Sequence, residues 1–426
     1  MTELRRDVGR WATVALVVNS MVGAGIVALP ARVDALVGAH AVYALLACAV
    51  AVAAIALCFA EVSSRFEGTG GPYLYARSTF GPTLGFTVGW LMLISRFTTL
   101  PVLANVLADY AGFFYAPLSA GAPRSAVMAL AIAGFAAVNL WGVGKAARVT
   151  SFLTAGKLLP LAVFVAVGAF FIDSARLVPG PAPGSGAFVE AIILLLFAFS
   201  GFEVVTIAAG EMRDPRRNLP TGLVIAIALV TTLYLGILLV CRGTLPGLAQ
   251  STRPLADAAA RMLGPVAAVL ISAAALVSAA GTISGSLLAG PRLFFAMARD
   301  GEMPRAFAAV HPRWHTPAVA IVVVATAAIA LALTGTFRQL LGINVLTRLL
   351  AYLVTVAALI AHRRRSGRAT FTVAGGWSIP LVAGASCLAL IARSRATELR
   401  DVAIALAVGL GVRVLVHGIR PRPQAG

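Results

Sequence analysis

The sequence predicts an all-α membrane protein that crosses the bilayer about twelve times. Three observations indicate this class. The 426 residues are 60% hydrophobic and 12% charged, with a mean hydropathy of +0.92, and soluble domains do not reach such values. Apolar runs long enough to span a membrane recur along the whole chain. Two of these runs carry a glycine interruption near mid-depth, about 177 residues apart, which favours two structurally repeated halves.

The apolar runs give the predicted helices in chain order. Each run is close to the roughly 17–25 residues that a membrane helix requires. The third and eighth runs are longer, so we expect those helices to be tilted. The runs cover residues 11–31, 37–60, 84–112, 123–143, 151–172, 187–209, 220–241, 264–289, 317–336, 339–361, 376–392 and 400–418.

The spacing of the runs predicts an inverted repeat of five plus five helices within a single transmembrane domain, 1–426. Helices 1, 2 and 3 begin about 176, 183 and 180 residues before helices 6, 7 and 8. The first repeat is predicted to cover 11–172 and the second 187–361, with the two helices of 376–418 appended. The two repeats place the interrupted helices, 1 and 6, at matching positions.

Lysine and arginine residues determine the predicted orientation. The N-terminus and the even-numbered connections carry 20 of these residues, and the connections on the opposite side carry 10. Because positive charge accumulates on the cytoplasmic side, both termini are predicted to be cytoplasmic in a multi-pass protein of the inner (plasma) membrane. The same distribution explains the net charge of +18 without a nucleic-acid partner, since these arginines lie in short loops.

The histidines and cysteines argue against an enzyme and against a metal or cofactor site. The five histidines lie at span ends or in loops, where they cannot activate a nucleophile at mid-depth. The cysteines lie in or beside apolar runs without metal-ligand spacing, so we expect them to serve as packing residues. They are Cys48, Cys58, Cys241 and Cys387.

The first apolar run contains the stretch on which the rest of the interpretation depends, residues 19–30. Gly23 and Gly25 weaken the helix at mid-depth, because glycine costs about 1 kcal/mol relative to alanine in a helix. A break there leaves backbone N–H and C=O groups unpaired, which the membrane interior permits only where they line a cavity or bind something. The alternative is that the small residues let two helices pack closely.

A second interruption, residues 197–203, lies in the sixth run. The N-terminus of a resumed helix offers free N–H groups to a carboxylate, and the carbonyls of the opposite half offer acceptors to an ammonium. A site with both ends is predicted to bind an α-amino acid, with the phenylalanines either closing over it or serving as packing. The candidate substrate-binding residues are Val22, Gly23, Ala24, Gly25 and Ile26 at the first break and Phe197, Phe199, Ser200, Gly201 and Phe202 at the second.

Lys157 is a candidate coupling residue in the fifth run. Only two of the 34 basic residues are lysines, which indicates that a lysine here is selected for its chemistry. A desolvated ammonium can lose its proton and a guanidinium cannot. Lys157 is therefore predicted to bridge carbonyls of broken helix 1 to hydroxyls of helix 8, such as Ser278 or Thr282. The alternative is a lysine that extends towards the headgroups.

Three further ionisable residues lie within spans, where such groups are rare and mark function. Glu203 follows the second break and is either a proton carrier or gate residue, or a structural carboxylate bonded to neighbouring helices. The N-terminus of the resumed helix is expected to offset its charge. Arg96 and Arg348 are expected to pair with a carboxylate or with backbone carbonyls, and not to touch substrate.

The segment 290–316 is predicted to be a connection between the eighth and ninth spans. Its first half is amphipathic and has a helical pattern that ends at Gly301. We expect this part to be either a cytoplasmic gate helix or a passive basic connector.

Three motifs resemble the amino acid–polyamine–organocation superfamily of permeases, over residues 11 to 360. Gly23-Ala24-Gly25-Ile26 followed by Leu29-Pro30 is similar to its helix 1 motif. The stretch 199–203, with 211–220 after it, is similar to helix 6 and the following loop. The stretch 292–301 looks like the connection between helices 8 and 9.

This resemblance implies a leucine-transporter-like fold, broken helices 1 and 6, and alternating access. It implies that residues 23–26 hold the substrate carboxylate and that carbonyls at 22 and 199–202 hold the amino group. Lys157 matches a lysine that replaces a sodium ion in some members, which implies sodium-independent proton coupling or exchange. Glu203 matches an acid proposed as a proton sensor, and Phe197 lies near a gating aromatic.

The resemblance also bears on the substrate. Unlike the arginine–agmatine exchangers, this sequence has no further acidic residue expected in the cavity, so a neutral amino acid fits best. Two alternatives remain: a transporter of polyamines or other organic cations, which would require cavity carboxylates, and an amino acid sensor that does not transport. The direction of transport stays open.

Overall fold

The computed structural model describes residues 9–66, 70–207, 214–365 and 369–418. All regular secondary structure in these ranges is helical, which confirms the all-α class, and short 3₁₀ turns join some of the helices. The helices are α1 (Arg10–Met21), α2 (Ala24–Val37), α3 (Ala41–Ser63), α4 (Pro72–Phe80), α5 (Pro82–Phe114), α6 (Gly121–Leu140), α7 (Val143–Gly168), α8 (Ser185–Phe199), α9 (Phe202–Ile207), α10 (Pro215–Thr244), α11 (Pro254–Leu263), α12 (Pro265–Arg299), α13 (Ala318–Thr334), α14 (Phe337–Arg365), α15 (Ser378–Ala392) and α16 (Ala396–Gly418).

Many of these helices have the length and composition of membrane spans. Within the described ranges, six helical stretches are long and apolar enough to cross a bilayer. They are Gly25–Ser63, Pro82–Phe114, Gly121–Leu140, Arg217–Thr244, Pro265–Arg299 and Phe337–Arg365. Four shorter apolar helices accompany them: Gly156–Phe171, Ser185–Phe199, Ala318–Thr334 and Ser378–Ala392. This set of helices is consistent with a polytopic membrane protein.

Both predicted interruptions are breaks in the fold. Helix α1 ends at Met21 and α2 begins at Ala24, with Val22 in an extended conformation between them. Helix α8 ends at Phe199 and α9 begins at Phe202. At the second break Gly201 has φ of +119°, a conformation that glycine adopts readily and other residues do not.

Several predicted boundaries are wrong. Helix α12 runs to Arg299, so the first part of 290–316 is neither a separate gate helix nor a connector but the end of a long helix. Pro291 lies inside this helix, and membrane helices tolerate proline where neighbours satisfy the freed backbone group. Helices α4 and α11 lie in predicted connections and are too short to be detected as spans. Residues 211–213 of the motif after the second break lie outside the described residues.

The long helices hold the broken helices at the centre of the molecule. Helix α12 packs on α5 and α7, α14 packs on α5, and α10 packs on α1 and α3. Small residues allow the closest of these contacts. At Gly222 in α10, an added Cβ would lie 2.7 Å from Cγ2 of Thr13 in α1.

A buried ion pair joins the ends of α3 and α14. Glu61, which is fully buried, accepts a hydrogen bond from Nε of Arg363 at 2.8 Å and a second from Nη2 of the same side chain. Its Oε2 also accepts from the backbone N–H of Val373 at 2.9 Å, which ties the segment between α14 and α15 to the same carboxylate. The pair therefore fixes the ends of α3 and α14 and the segment between α14 and α15 relative to one another.

The first prediction concerns this pair. Arg363→Met should lower the free energy of unfolding by about 3 kcal/mol, because the buried Glu61 loses two charge-assisted hydrogen bonds and keeps, among the described residues, only the longer ion-pair contact of 3.9 Å with Arg65. Thermal unfolding of the purified protein in detergent measures the effect. Arg364→Met is the matched control, since Arg364 is the exposed neighbour in sequence. Equal unfolding temperatures for the two variants would contradict the assigned role.

Candidate binding site at the two helix breaks

The two breaks lie directly against each other. An added Cβ on Gly201 would lie 2.3 Å from the backbone carbonyl oxygen of Ser20, near the end of α1. No side chain fits in that space, so the contact is one of backbone on backbone. Glycine at 201 is thus required twice, by its positive φ and by the approach of α1.

Tyr234 of α10 joins the breaks through one hydroxyl group. Its oxygen lies 2.9 Å from the carbonyl oxygen of Met21 and 2.9 Å from that of Ala198. Both carbonyls belong to the last turn of a helix, where no intrahelical donor exists. The single hydroxyl proton serves one carbonyl at a time, and the fully buried side chain holds the ends of α1 and α8 together.

The N-terminus of α2 is open. By helix geometry the N–H groups of residues 23–26 have no intrahelical acceptor, and no side chain caps Gly23. An added Cβ on Gly23 would lie 3.1 Å from Oγ1 of Thr282, and one on Gly25 would lie 3.2 Å from the ring of Phe197. The glycines therefore allow Thr282 and Phe197 to pack closely against the start of α2, where the helix dipole adds positive potential.

A cavity of about 390 Å³, counted to its open side, adjoins both breaks. Its lining comes from both breaks, from α5 and α12, and from one arginine of α14. The lining residues are Ser20, Met21, Gly23, Gly25, Arg96, Thr99, Leu103, Phe197, Ala198, Ser200, Gly201, Thr282, Ser286 and Arg348.

The cavity divides the predicted site residues into two groups. Those in its wall are Gly23, Gly25, Phe197, Ser200, Gly201 and Thr282. The other predicted side chains are buried behind the wall: Val22, Ile26, Lys157, Phe199, Phe202, Glu203 and Ser278. The side chain of Ala24 lies outside the described part of the chain. Arg96 and Arg348, which the sequence did not assign to the substrate, both line the cavity.

Two of the three phenylalanines serve as packing. Phe199 lies edge-on to Tyr234, with ring centroids 5.1 Å apart. Phe202 packs against Phe59 at 5.3 Å and against Tyr352 at 5.4 Å. Only Phe197 of the three lines the cavity, so it alone is placed to contact a ligand.

Lys157 reaches the end of α1. Its ammonium donates a hydrogen bond to the carbonyl oxygen of Asn19 at 2.6 Å, and the residue is only 2% exposed. Such burial is not that of a lysine extended towards the headgroups. Of the two predicted hydroxyl partners, Thr282 donates to the carbonyl of Ser278 at 2.8 Å. The Ser278 hydroxyl has no hydrogen-bond partner among the described residues, so only the α1 half of the predicted bridge is present.

Glu203, fully buried in the first turn of α9, accepts from several donors. Arg348 donates to Oε1, and the Tyr352 hydroxyl and the Gly201 N–H donate to Oε2 at 2.9 Å each. Nη2 of Arg96 lies 3.6 Å from Oε1. The carboxylate thus satisfies a backbone N–H of the second break and pairs with the two arginines, as expected for a carboxylate partner.

Asn344 extends this network into α5. Its Oδ1 accepts from Nε of Arg348 at 2.9 Å, and its Nδ2 donates to Oγ1 of Thr99 at 2.8 Å and to the carbonyl of Ser95 at 2.6 Å. Sequence reasoning missed Asn344, Tyr352 and Tyr234. Residues 344, 348 and 352 share one helix face at spacings of four, and that polar stripe was a signal. Tyr234 lies in an apolar run, where only the need of a buried hydroxyl for a hydrogen-bond partner indicated a role.

Comparison with known proteins gives one family. The chain matches the amino acid permease family over residues 8–396. The serine/threonine exchanger SteT of Bacillus subtilis is 26% identical over 98% of this chain and 98% of its own length. The methylthioribose transporter of the same species is 27% identical, over 90% and 87%. The large neutral amino acids transporter small subunit 2 of Rattus norvegicus is 29% identical, over 84% and 70%. These names describe transporters and not enzymes.

The second prediction concerns Tyr234. Tyr234→Phe should lower the free energy of unfolding by about 1–3 kcal/mol, because two buried carbonyls lose their shared donor while the ring remains. Thermal unfolding in detergent measures the loss. Tyr115→Phe is the matched control, since Tyr115 is 62% exposed. If both variants unfold at the same temperature as the wild type, the Tyr234 hydroxyl does not hold the ends of α1 and α8 together.

Proposed function

The chain belongs to the amino acid permease family, and from this premise we propose that it carries neutral amino acids across the cytoplasmic membrane by alternating access. It is a multi-pass membrane protein and not an enzyme. The observation that carries the proposal is the uncapped N-terminus of α2, which opens on a cavity shared with the second break. This arrangement provides N–H groups and carbonyls at one point inside the membrane.

The two ends of an α-amino acid fit these groups. The N–H groups of residues 23–26, at the positive end of α2, suit the carboxylate. The carbonyls of Val22 and of residues 199–202 suit the ammonium, since Tyr234 already occupies those of Met21 and Ala198. Phe197 lies beside Gly25 and is placed to cover the bound molecule.

A neutral side chain fits the charges better than a second amine. Glu203 is the carboxylate nearest the breaks in the described chain, and Arg348, Tyr352 and the Gly201 N–H already use it. A polyamine or other organic cation would need a carboxylate that is free in the cavity wall, and no lining residue supplies one. The names of two relatives, a serine/threonine exchanger and a large neutral amino acids transporter, favour the same substrate class.

Lys157 supports sodium-independent coupling. Its ammonium places a positive charge on the last-turn carbonyl of Asn19, the kind of group that would otherwise ligate a cation. The donors on Glu203 favour its structural role over that of a proton carrier. Transport is then driven either by a proton gradient or by exchange for a second amino acid, and Lys157 is the coupling residue in both cases.

The packing of helices supports a five-plus-five repeat. Helix α7 packs on α12, and their counterparts in the other half, α14 and α5, pack on each other in the same way. Likewise α1 packs on α10, and their counterparts α8 and α3 form the equivalent pair. With this repeat and the arginine distribution, both termini lie in the cytoplasm.

The third prediction tests this function in liposomes. The reconstituted protein should take up labelled neutral amino acids without sodium, under an inward proton gradient or in exchange for internal amino acid. Lys157→Ala should lower the rate at least about tenfold, the equivalent of one hydrogen bond to a charged group. Leu159→Ala is the control on the same helix, since Leu159 is 71% exposed.

The possible outcomes separate the alternatives. Accumulation driven by the gradient alone indicates proton symport, and uptake that requires internal amino acid indicates exchange. Movement of amines in place of amino acids, or of nothing at all, would contradict the proposal. A protein that binds amino acids in detergent but moves none would be a sensor.

A further inference from the structure

Arg96 of α5 is a buried guanidinium without a full set of partners. The residue is 6% exposed and lines the cavity at the breaks. Its Nη2 has no hydrogen-bond acceptor among the residues that the structure describes. The nearest ion-pair contact in that set is Oε1 of Glu203 at 3.6 Å, which is beyond hydrogen-bond distance.

Arg348 has the opposite surroundings. It donates to Glu203, to Asn344 at 2.9 Å and to Thr99 at 3.3 Å, so its guanidinium is tied into α5 and α9. Glu203 in turn receives Tyr352 and the Gly201 N–H, which leaves little of its acceptor capacity for Arg96. Two buried cations therefore share one carboxylate, and the pair at Arg348 is the satisfied one.

This imbalance is costly unless a ligand relieves it. A buried cation that shares its one counter-ion and leaves a donor without an acceptor is unfavourable, and ionisable residues inside membrane proteins mark binding or transport sites. Arg96 is in the cavity wall, where a bound molecule can reach it.

We infer that Arg96 is a substrate-binding residue, whose guanidinium donates to an oxygen acceptor on the side chain of the transported amino acid. The α-carboxylate is not this acceptor, because the proposed function assigns it to the N–H groups of residues 23–26. The inference rests on that function and narrows its substrate class to neutral amino acids whose side chain carries a hydroxyl or amide oxygen. A side-chain carboxylate would also complete the shell of Arg96, but it would move the substrate outside the neutral class.

Selection among substrates follows from the same chemistry. An alkyl side chain would exclude water from Arg96 and give it no acceptor, whereas an oxygen of equal size would pair with it. Sites built to hydrogen-bond a substrate group discriminate strongly against analogues that lack it. We therefore expect threonine to bind at least about tenfold more tightly than valine, which has nearly the same shape.

The fourth prediction measures this preference by competition. Uptake of labelled alanine into liposomes is inhibited by threonine or valine in one arm and by aspartate or leucine in the other. In the wild type, threonine or aspartate should inhibit at a concentration at least about tenfold lower than its alkyl counterpart. In Arg96→Met the ratio should fall to about one. Arg305→Met, an exposed arginine outside the cavity, should keep the wild-type ratio.

Thermal unfolding separates binding from folding. Without substrate, Arg96→Met should unfold at a temperature no lower than the wild type, because Nη2 of Arg96 has no hydrogen bond to lose among the described residues. Arg348→Met should unfold at a lower temperature, since the substitution removes the hydrogen bonds that Arg348 donates to Glu203 and Asn344. Threonine or aspartate should raise the unfolding temperature of the wild type and not that of Arg96→Met.

The two arms of the competition experiment identify the oxygen acceptor and also show whether the inference fails. A preference for threonine over valine supports a hydroxyl or amide acceptor, whereas a preference for aspartate alone would support binding at Arg96 and contradict the neutral substrate class. Ratios near one in the wild type, or a preference that survives in Arg96→Met, would overturn the role of Arg96 while leaving amino acid transport intact. If alanine and every other amino acid fail to move, the proposed function itself is wrong.

Discussion

The unpaired backbone of two broken helices is the constraint on which the structure depends. Inside a membrane, each free N–H or C=O needs a partner from the protein or from a ligand. At the second break and the end of α1 the protein supplies partners: Tyr234 for two carbonyls, Lys157 for that of Asn19, and Glu203 for the N–H of Gly201. At the start of α2 the N-cap residue is Gly23, which has no side chain to accept from the free N–H groups, and we propose that the substrate carboxylate binds them.

These partners come from helices on different sides of the breaks. Tyr234 comes from α10, Lys157 from α7, and Glu203 connects α9 through Arg348 to α14 and α5. The broken helices are thereby joined to the long ones by specific polar contacts in addition to their apolar packing. A movement of α9 relative to α14 has to carry or break the Glu203–Arg348 pair, so the site and the scaffold cannot change independently.

The sequence was most informative about features that are determined by residues close together in the chain. Apolar length predicted an all-α polytopic membrane protein, and glycine at 23, 25 and 201 predicted the breaks, because both features depend on residues close in the chain. The partner of a buried charge depends on three-dimensional packing. Lys157 was recognised as unusual, yet its acceptor proved to be a carbonyl without the Ser278 contact. Arg96 and Arg348 were expected to play the same role, and only the structure shows that Arg348 has hydrogen-bond acceptors in Glu203 and Asn344 whereas Nη2 of Arg96 has none among the described residues.

The most direct test of this account is an experimental structure of the purified protein with an amino acid bound in its transport cavity. The account predicts the α-carboxylate on the N–H groups of residues 23–26 and the ammonium on carbonyls of the two breaks, with Tyr234 still between Met21 and Ala198. A bound amino acid located elsewhere, with α2 capped by protein groups and the cavity closed, would contradict it.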